Sequence, residues 1–187
     1  EDISSIWSNT VTGFSIPSLE ARIMNLLPFK TDTKRVPMMG LGCMAGVAGI
    51  NRVSDYLLGH PKEAVIFFSV ECCSLTFQMG DLRVANLLST ALFGDGAAAV
   101  LMVGDEHPLA LKAPLELKDS LSIFFRDSED TMGWDVSEKG LSIILNKNVP
   151  EVTERELPGP MNKFLSERKI SLSEIKSFFA HPGGPKV

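Results

Sequence analysis

In "KRVPMMGLGCMAGVAGINRVSDYLLG" (residues 34–59) an apolar segment crosses two glycines and turns into a helical pattern, and a cysteine stands at the crossing. Ahead of the junction the chain predicts a buried strand over residues 35–42, ending on Gly40 and Gly42. Behind it Val47, Ile50, Val53, Leu57 and Leu58 recur at helical spacing, which predicts a helix over residues 44–58 that closes at Gly59 before Pro61. Ala45, Gly46, Ala48 and Gly49 are small enough to let that helix approach other backbones closely. Cys43 then falls at or near a helix N-terminus, where unpaired N–H groups and the positive end of the dipole favour a thiolate. A cysteine whose pKa falls in this way is a nucleophile. A small apolar residue filling a tight turn is the other reading of the same position.

Outward from this junction, strands and helices alternate. Residues 3–7 read as the end of a strand, and "TVTGFSIPS" as a loop whose Ser18 caps a helix over "LEARIMNLL". "AVIFFSVEC" (residues 64–72) is a continuous apolar run, the pattern of a strand covered on both faces. "LRVANLLSTAL" (residues 82–92) predicts a helix that gives way to "FGDGAAAVLMVG", a turn followed by a strand of small residues. Residues 109–118 and 121–126 predict a pair of strands, and 141–145 another strand. "GPMNKFLSERK" (residues 159–169) is helical, with Pro160 suited to a first turn, and "SLSEIKSFFAH" leads through a capped turn into a last strand. Alternation with buried, parallel-type strands is the pattern of an α/β fold. "FGDGAAAV" lacks the G-x-G-x-x-G spacing and precedes a strand rather than a helix, which argues against a dinucleotide site. Both ends of the chain read as cut from strands, so the expectation is a piece of a larger protein.

Composition narrows the function. The 187 residues are 44% hydrophobic and 22% charged, enough for one sizeable core or two small ones and apolar enough to suggest a large buried interface. The net charge of −5, with no basic block, makes nucleic acid and anionic membrane surfaces poor partners. No apolar run approaches the ~18 residues of a membrane span, and "EDISSIW" has neither the basic start nor the apolar core of a signal peptide. The three cysteines, Cys43 and the adjacent Cys72 and Cys73, argue against a disulfide framework and for a reducing, cytoplasmic setting. His60, His107 and His181 do not fall at zinc-site spacing, so no metal is expected.

A thiol that transfers acyl groups needs a partner that stabilises the thiolate or binds the substrate carbonyl. His181 in "AHPGG" follows the apolar "SFFA", and strand ends are where α/β sites collect; a structural hydrogen-bonding role is its other reading. His60, beside Gly59 and Pro61, and His107, in "GDEHP", read as surface residues.

Taken together, "GLGCMAG", "ALFGDGAAAV", "AHPGGPKV" and "TGFSIPSLEARIM" occur in the order found in the type III polyketide synthases, and the chain resembles the middle portion of that chalcone/stilbene synthase-like family. "MGWDVSEKGLSIIL" is closer to the bacterial members than to the plant ones. The resemblance implies a thiolase-like (αβαβα layered) fold, with residues 1–104 in the latter part of an N-terminal half carrying the nucleophile and residues 105–187 beginning a C-terminal half carrying the histidine. It implies Cys43 and His181 as catalytic residues and Phe93 as a gatekeeper between coenzyme A tunnel and cavity. By the same resemblance Thr76 and Cys73 line the cavity, and Ile143 stands where a second gatekeeper phenylalanine is common. Ile16 would reach across a homodimer, and Gly183 and Gly184 would approach the coenzyme A arm. Thr76 and Cys73 as buried polar groups bonded to backbone, and Ile143 as ordinary core, are the alternatives.

Two departures stand out. The family completes its triad with an asparagine well downstream of the histidine, and this sequence ends six residues after His181. The basic residues that hold coenzyme A phosphates are missing as well, so the 187 residues alone are expected to be inactive. In "ELPGPMNKFL", Pro158, Gly159 and Pro160 interrupt a stretch that the family keeps helical.

The implied reaction joins an acyl-CoA starter to malonyl-CoA units by decarboxylative Claisen condensation, then cyclises the product to a pyrone or phenol, with no metal or prosthetic group. Ile143 and Cys73 suggest a roomy, less aromatic cavity and hence a fatty acyl starter leading to alkylpyrones or alkylresorcinols. One alternative is another condensing enzyme of the same fold, such as a β-ketoacyl-acyl carrier protein synthase III or a hydroxymethylglutaryl-CoA synthase. "HPGG" in place of an "HQAN"-like run counts against it. The other is a non-catalytic truncated paralogue that serves as a dimerisation partner.

Overall fold

A computed structural model describes residues 3–181 and residue 183. The chain divides into two compact units, Glu1–Thr76 with Gly94–Ser120, and Phe77–Phe93 with Leu121–Val187.

The first unit is built on a four-stranded sheet. Its elements are β1 (Ser5–Asn9), α1 (Leu19–Met24), β2 (Lys34–Met38), a 3₁₀ turn Gly42–Met44, α2 (Ala45–Gly59), β3 (Ala64–Glu71), a 3₁₀ turn Cys73–Thr76 and β4 (Gly96–Val103). The strand order is β2-β1-β3-β4. β1 runs parallel to both of its neighbours, Trp7 standing opposite Val36 and Phe67, and β4 runs antiparallel to β3. Every residue of β1 is buried, so its polar side chains are paired. Trp7 Nε1 donates to Ser5 Oγ at 2.7 Å, and Ser69 Oγ donates to Asn9 Oδ1 at 2.6 Å.

Alternation along β1 assigns the two helices to opposite faces. Trp7, Val65 and Phe67 pack with Val53 and Leu57 of α2 in the hydrophobic core. On the other face the Ser8 hydroxyl donates to Glu20 of α1, whose carboxyl is fully buried. Right-handed crossovers that run in opposite directions across the sheet, β1 to β2 through α1 and β2 to β3 through α2, give this arrangement. α2 lies close on the sheet because Gly49 meets Phe67 without a side chain between them.

Both edges of the sheet differ from expectation. β2 is the shorter strand Lys34–Met38 and is largely exposed, not buried over residues 35–42. Pro37 has no N–H to give to a ladder and suits an edge strand, and Gly40 and Gly42, at φ +85° and +56°, turn the chain out of it. β4 is an exposed edge along most of its length, and β3 is fully buried only at Ala64, Val65 and Phe67. The strand pair expected at 109–118 and 121–126 does not form, and only a 3₁₀ turn Ala110–Lys112 appears there. Pro114 interrupts the first run, and Leu111 and Leu115 are 99% and 87% exposed, so no face is buried to hold a register.

In the second unit α3 (Val84–Leu92) packs on a hairpin of β5 (Met132–Ser137) and β6 (Gly140–Leu145), followed by α4 (Val149–Glu156) and α5 (Pro158–Glu167). β6 matches the strand expected at 141–145; β5 and α4 were not expected. The hairpin turns through Glu138 and Lys139, with Gly140 at φ +96°. The Pro158-Gly159-Pro160 interruption amounts to one residue: Leu157, at φ −74° and ψ −41°, ends α4 and begins α5. Prolines are tolerated here because the first turn of a helix has no partner for their missing N–H groups. The capped turn near the C-terminus is present as a capping box of Ser171 and Glu174, but no strand follows it over 175–181. Phe179 is 99% exposed, and a strand without a neighbouring ladder has nothing to satisfy its backbone.

Candidate active site

Cys43 occupies the junction expected of it. It is the middle residue of the turn Gly42–Met44, which leads directly into α2, and it is exposed. The two positive-φ glycines on either side of Leu41 are what let the chain reverse from β2 into α2 in so few residues. The expected drop in thiol pKa is not found. Packing of the protein around the sulfur pushes it up, the Glu71 carboxylate adds to this, and the residue's own backbone N–H opposes them only in part. Cys43 stands before Met44, the residue at the cap of α2, and a helix dipole acts mainly within the first turn.

Glu71, which the sequence reading did not single out, is the hub beneath this turn. Its carboxylate accepts hydrogen bonds from Val11 N at 3.1 Å, Thr12 N at 3.1 Å, Thr12 Oγ1 at 2.7 Å and Thr10 Oγ1 at 3.2 Å. Thr12 Oγ1 in turn accepts from Cys72 N at 2.8 Å. The only sequence signal was an acidic residue closing the apolar run "AVIFFSVE". Cys73 and Thr76 mark the two ends of the next turn, both half-buried. The Cys73 thiol is pushed up first by burial and then by Glu71, Asp95 and the neighbouring cysteines. Thr76 Oγ1 donates to Cys73 O at 2.8 Å, so its hydroxyl is bonded within the turn. Ile16 projects from the loop before α1 and is 91% exposed.

The remaining candidates belong to the second unit. Phe93 caps the C-terminus of α3, donating its N–H to Ser89 O at 2.8 Å, and its side chain is half-buried. Ile143 is buried on β6, opposite Trp134 of β5. Gln78 Nε2 donates to Lys139 O at 3.1 Å and Leu141 O at 3.2 Å, tying the hairpin to the segment before α3. His181 and Gly183 are exposed, and Gly184 lies outside the described residues. Among the described residues no cluster of three metal-ligating side chains occurs, and no helix is long and apolar enough to cross a membrane.

A mostly parallel sheet with helices on both faces and a cysteine on the turn into α2 agrees with the thiolase-like α/β fold of the solved structures that superpose on this chain. The profile of the FAE1/Type III polyketide synthase-like family matches residues 1–157, and the chain belongs to that family. It is 42% identical over 190 residues to a Bacillus subtilis protein named for chalcone synthase, covering 100% of this chain and 52% of that one. It is 38% identical over 186 residues to a 1,3,6,8-tetrahydroxynaphthalene synthase of Streptomyces peucetius, covering 100% of this chain and 49% of that protein. The crystal structure of a tetrahydroxynaphthalene synthase from Streptomyces coelicolor superposes with a TM-score of 0.89 at 34% identity, over 99% of this chain and 51% of that one. The chain thus spans about half the length of the relatives it matches. Family membership also sets aside the other condensing enzymes weighed from the sequence.

Proposed function

We propose that the protein to which this chain belongs is a type III polyketide synthase, and that Cys43 is its nucleophile. The observation that carries this reading is the exposed Cys43 thiol on the glycine-framed turn into α2, in a chain of this family. In the reaction, the Cys43 thiolate attacks the carbonyl of an acyl-CoA thioester, and coenzyme A leaves as a thiol by taking up the proton that Cys43 gave up on ionising. Malonyl-CoA loses CO₂ to give the enolate of acetyl-CoA, whose carbon attacks the Cys43 thioester and expels the cysteine as thiolate. Repetition lengthens the chain, and cyclisation gives a pyrone or a phenolic ring. Coenzyme A thioesters are the substrates, and no prosthetic group takes part.

Glu71 and the packing around Cys43 raise its thiol, so the reactive thiolate needs a cation or donor from outside that turn. We assign that part to His181, which also stabilises the enolate. The family resemblance assigns gatekeeper roles to Phe93 and Ile143, a cavity-lining role to Cys73 and Thr76, and contact with the coenzyme A arm to Gly183 and Gly184. Residues 1–104 supply the nucleophile half and 105–187 the start of the histidine half. The protein acts as a homodimer in the cytoplasm, and the exposure of Phe14 (81%) and Ile16 (91%) supports a partner-facing loop.

The test is intact mass spectrometry of the full-length protein after incubation with fatty acyl-, aromatic acyl- and malonyl-CoA, with Cys43→Ala as control. An adduct absent from the variant supports the reading, and preferential labelling by long-chain acyl-CoA supports a fatty acyl starter. A folded, dimeric protein that takes up no acyl group overturns it in favour of a non-catalytic partner.

A further inference from the structure

The loop after Phe93 contains a carboxylate that the mechanism above leaves unused. Asp95, in "FGDGAAAV", accepts two hydrogen bonds from one residue far back in the chain: Ser74 N to Oδ1 at 2.8 Å and Ser74 Oγ to Oδ2 at 2.7 Å. Ser74 is the second residue of the turn Cys73–Thr76. The first N–H groups of such a turn have no partner within it, and Asp95 supplies one from another element. A bidentate, charge-assisted grip also fixes orientation, because both donors sit on one residue.

The same segment is held from its other end. Cys72 N donates to Thr12 Oγ1 at 2.8 Å, and Thr12 is bonded to Glu71. Residues 71–76 are therefore clamped by the 10–12 loop on one side and by Asp95 on the other. Cys73 lies between the two gripped residues, Cys72 and Ser74, and Thr76 Oγ1 donates to Cys73 O, which holds the Thr76 side chain to the backbone of the same turn.

We propose that Asp95 is a positioning residue for substrate selection: by gripping Ser74 it sets where Cys73 and Thr76 stand, and so which acyl chain the cavity accepts. This rests on the polyketide synthase reading. Ser74's N–H and hydroxyl hold the Asp95 carboxyl below the usual carboxylate range, so the grip is ionised at neutral pH. The carboxylate touches no reacting atom; it acts through the turn.

The experiment compares full-length wild type with Asp95→Ala, Asp95→Asn, Ser74→Ala and the double variant Ser74→Ala/Asp95→Ala. For the preferred starter, kcat/KM is expected to fall about tenfold in Asp95→Ala, the equivalent of one net hydrogen bond to a charged group, with the ranking among acyl-CoA starters altered. Decarboxylation of malonyl-CoA without starter and alkylation of Cys43 by iodoacetamide stay at the wild-type level. Asp95→Asn restores most of the selectivity, and the double variant resembles Asp95→Ala because the two side chains act as one contact. A lowered Tm with an unchanged starter ranking overturns the proposal and leaves Asp95 a structural cap. Loss of Cys43 alkylation also overturns it, since the nucleophile's turn would then have moved. If wild type itself takes up no acyl group, the polyketide synthase reading falls and the proposal falls with it; if wild type is acylated and the variants keep its ranking, the proposal alone falls.

Discussion

Phe67 fills the space that a side chain at position 49 would need: a Cβ built on Gly49 would stand 2.1 Å from Cζ of Phe67. The ring belongs to β3 and the glycine to α2, so this pair sets how closely the helix behind Cys43 lies on the sheet. Gly49→Ala is therefore expected to lower stability by about 1–3 kcal/mol through overpacking. At Gly46 the nearest atom is Ser69 Oγ at 3.7 Å, an ordinary contact. Gly46→Ala should hold or raise stability, by up to about 1 kcal/mol of helix propensity. Thermal unfolding of the two variants side by side checks this, and equal losses would mean that close approach at Gly49 is not what matters.

A second cluster lies at the opposite end of the sheet from the cysteine. Lys34 Nζ donates to Tyr56 Oη at 2.6 Å and to Glu63 Oε1 at 3.1 Å, and the Tyr56 hydroxyl donates to Glu63. Burial tends to raise the Glu63 carboxyl, but the donors Tyr56 and Lys34 outweigh it and bring it below its usual range. Its contribution to stability is present above the ordinary carboxylate range and is lost as pH falls through the lowered value. Lys34 is raised by Tyr56 and then by Glu63, so its contribution is complete below the ordinary lysine value and is lost as pH rises through the raised one. Glu63→Gln should cost about 0.2–1 kcal/mol at neutral pH and nothing measurable in strong acid, because the pair is partly solvated. Tm measured against pH for wild type and variant tests the sign.

The raised Cys43 thiol predicts two opposite mutational shifts in the full-length protein. Glu71→Gln removes a negative charge and should move the pH midpoint of iodoacetamide alkylation downward. His181→Ala removes the proposed stabilising partner and should move it upward. A midpoint indifferent to His181 would count against its pairing with the thiolate.

Gln78 offers a test of what holds the hairpin that carries Ile143. Its amide donates to two carbonyls, of Lys139 and Leu141, and Gly140 between them has φ +96°. Gln78→Ala should cost about 1 kcal/mol and speed amide hydrogen exchange in β5 and β6, with little change in the first unit. Uniform exchange behaviour across the chain would contradict this.

Much of the first unit was legible because its patterns are local and strong. The apolar run at 64–72 and the small-residue helix after Cys43 each carry their own signal, and both appear in the structure as a strand and a helix. The hairpin partner β5 and the helix α4 did not show, because "MGWDVS" alternates weakly and "VPEVTERE" is polar with a proline near its start. The strands expected at 109–118, at 121–126 and at "SFFA" failed for the opposite reason: apolar residues were present, but no neighbouring strand or buried face was there to use them.

By itself the sequence determined the class of fold, the family and the place of Cys43 on the turn into α2, since glycine pairs, helical spacing and short motifs are properties of contiguous residues. Tertiary structure alone decided the surroundings of that cysteine. Glu71 reaches the 10–12 loop across about sixty positions of chain, and Asp95 grips Ser74 across 21, so the partners that raise the Cys43 thiol and fix the Cys73–Thr76 turn come together only when the strands pair. A carboxylate's effect depends on distance through space, and spacing along the chain does not carry that information.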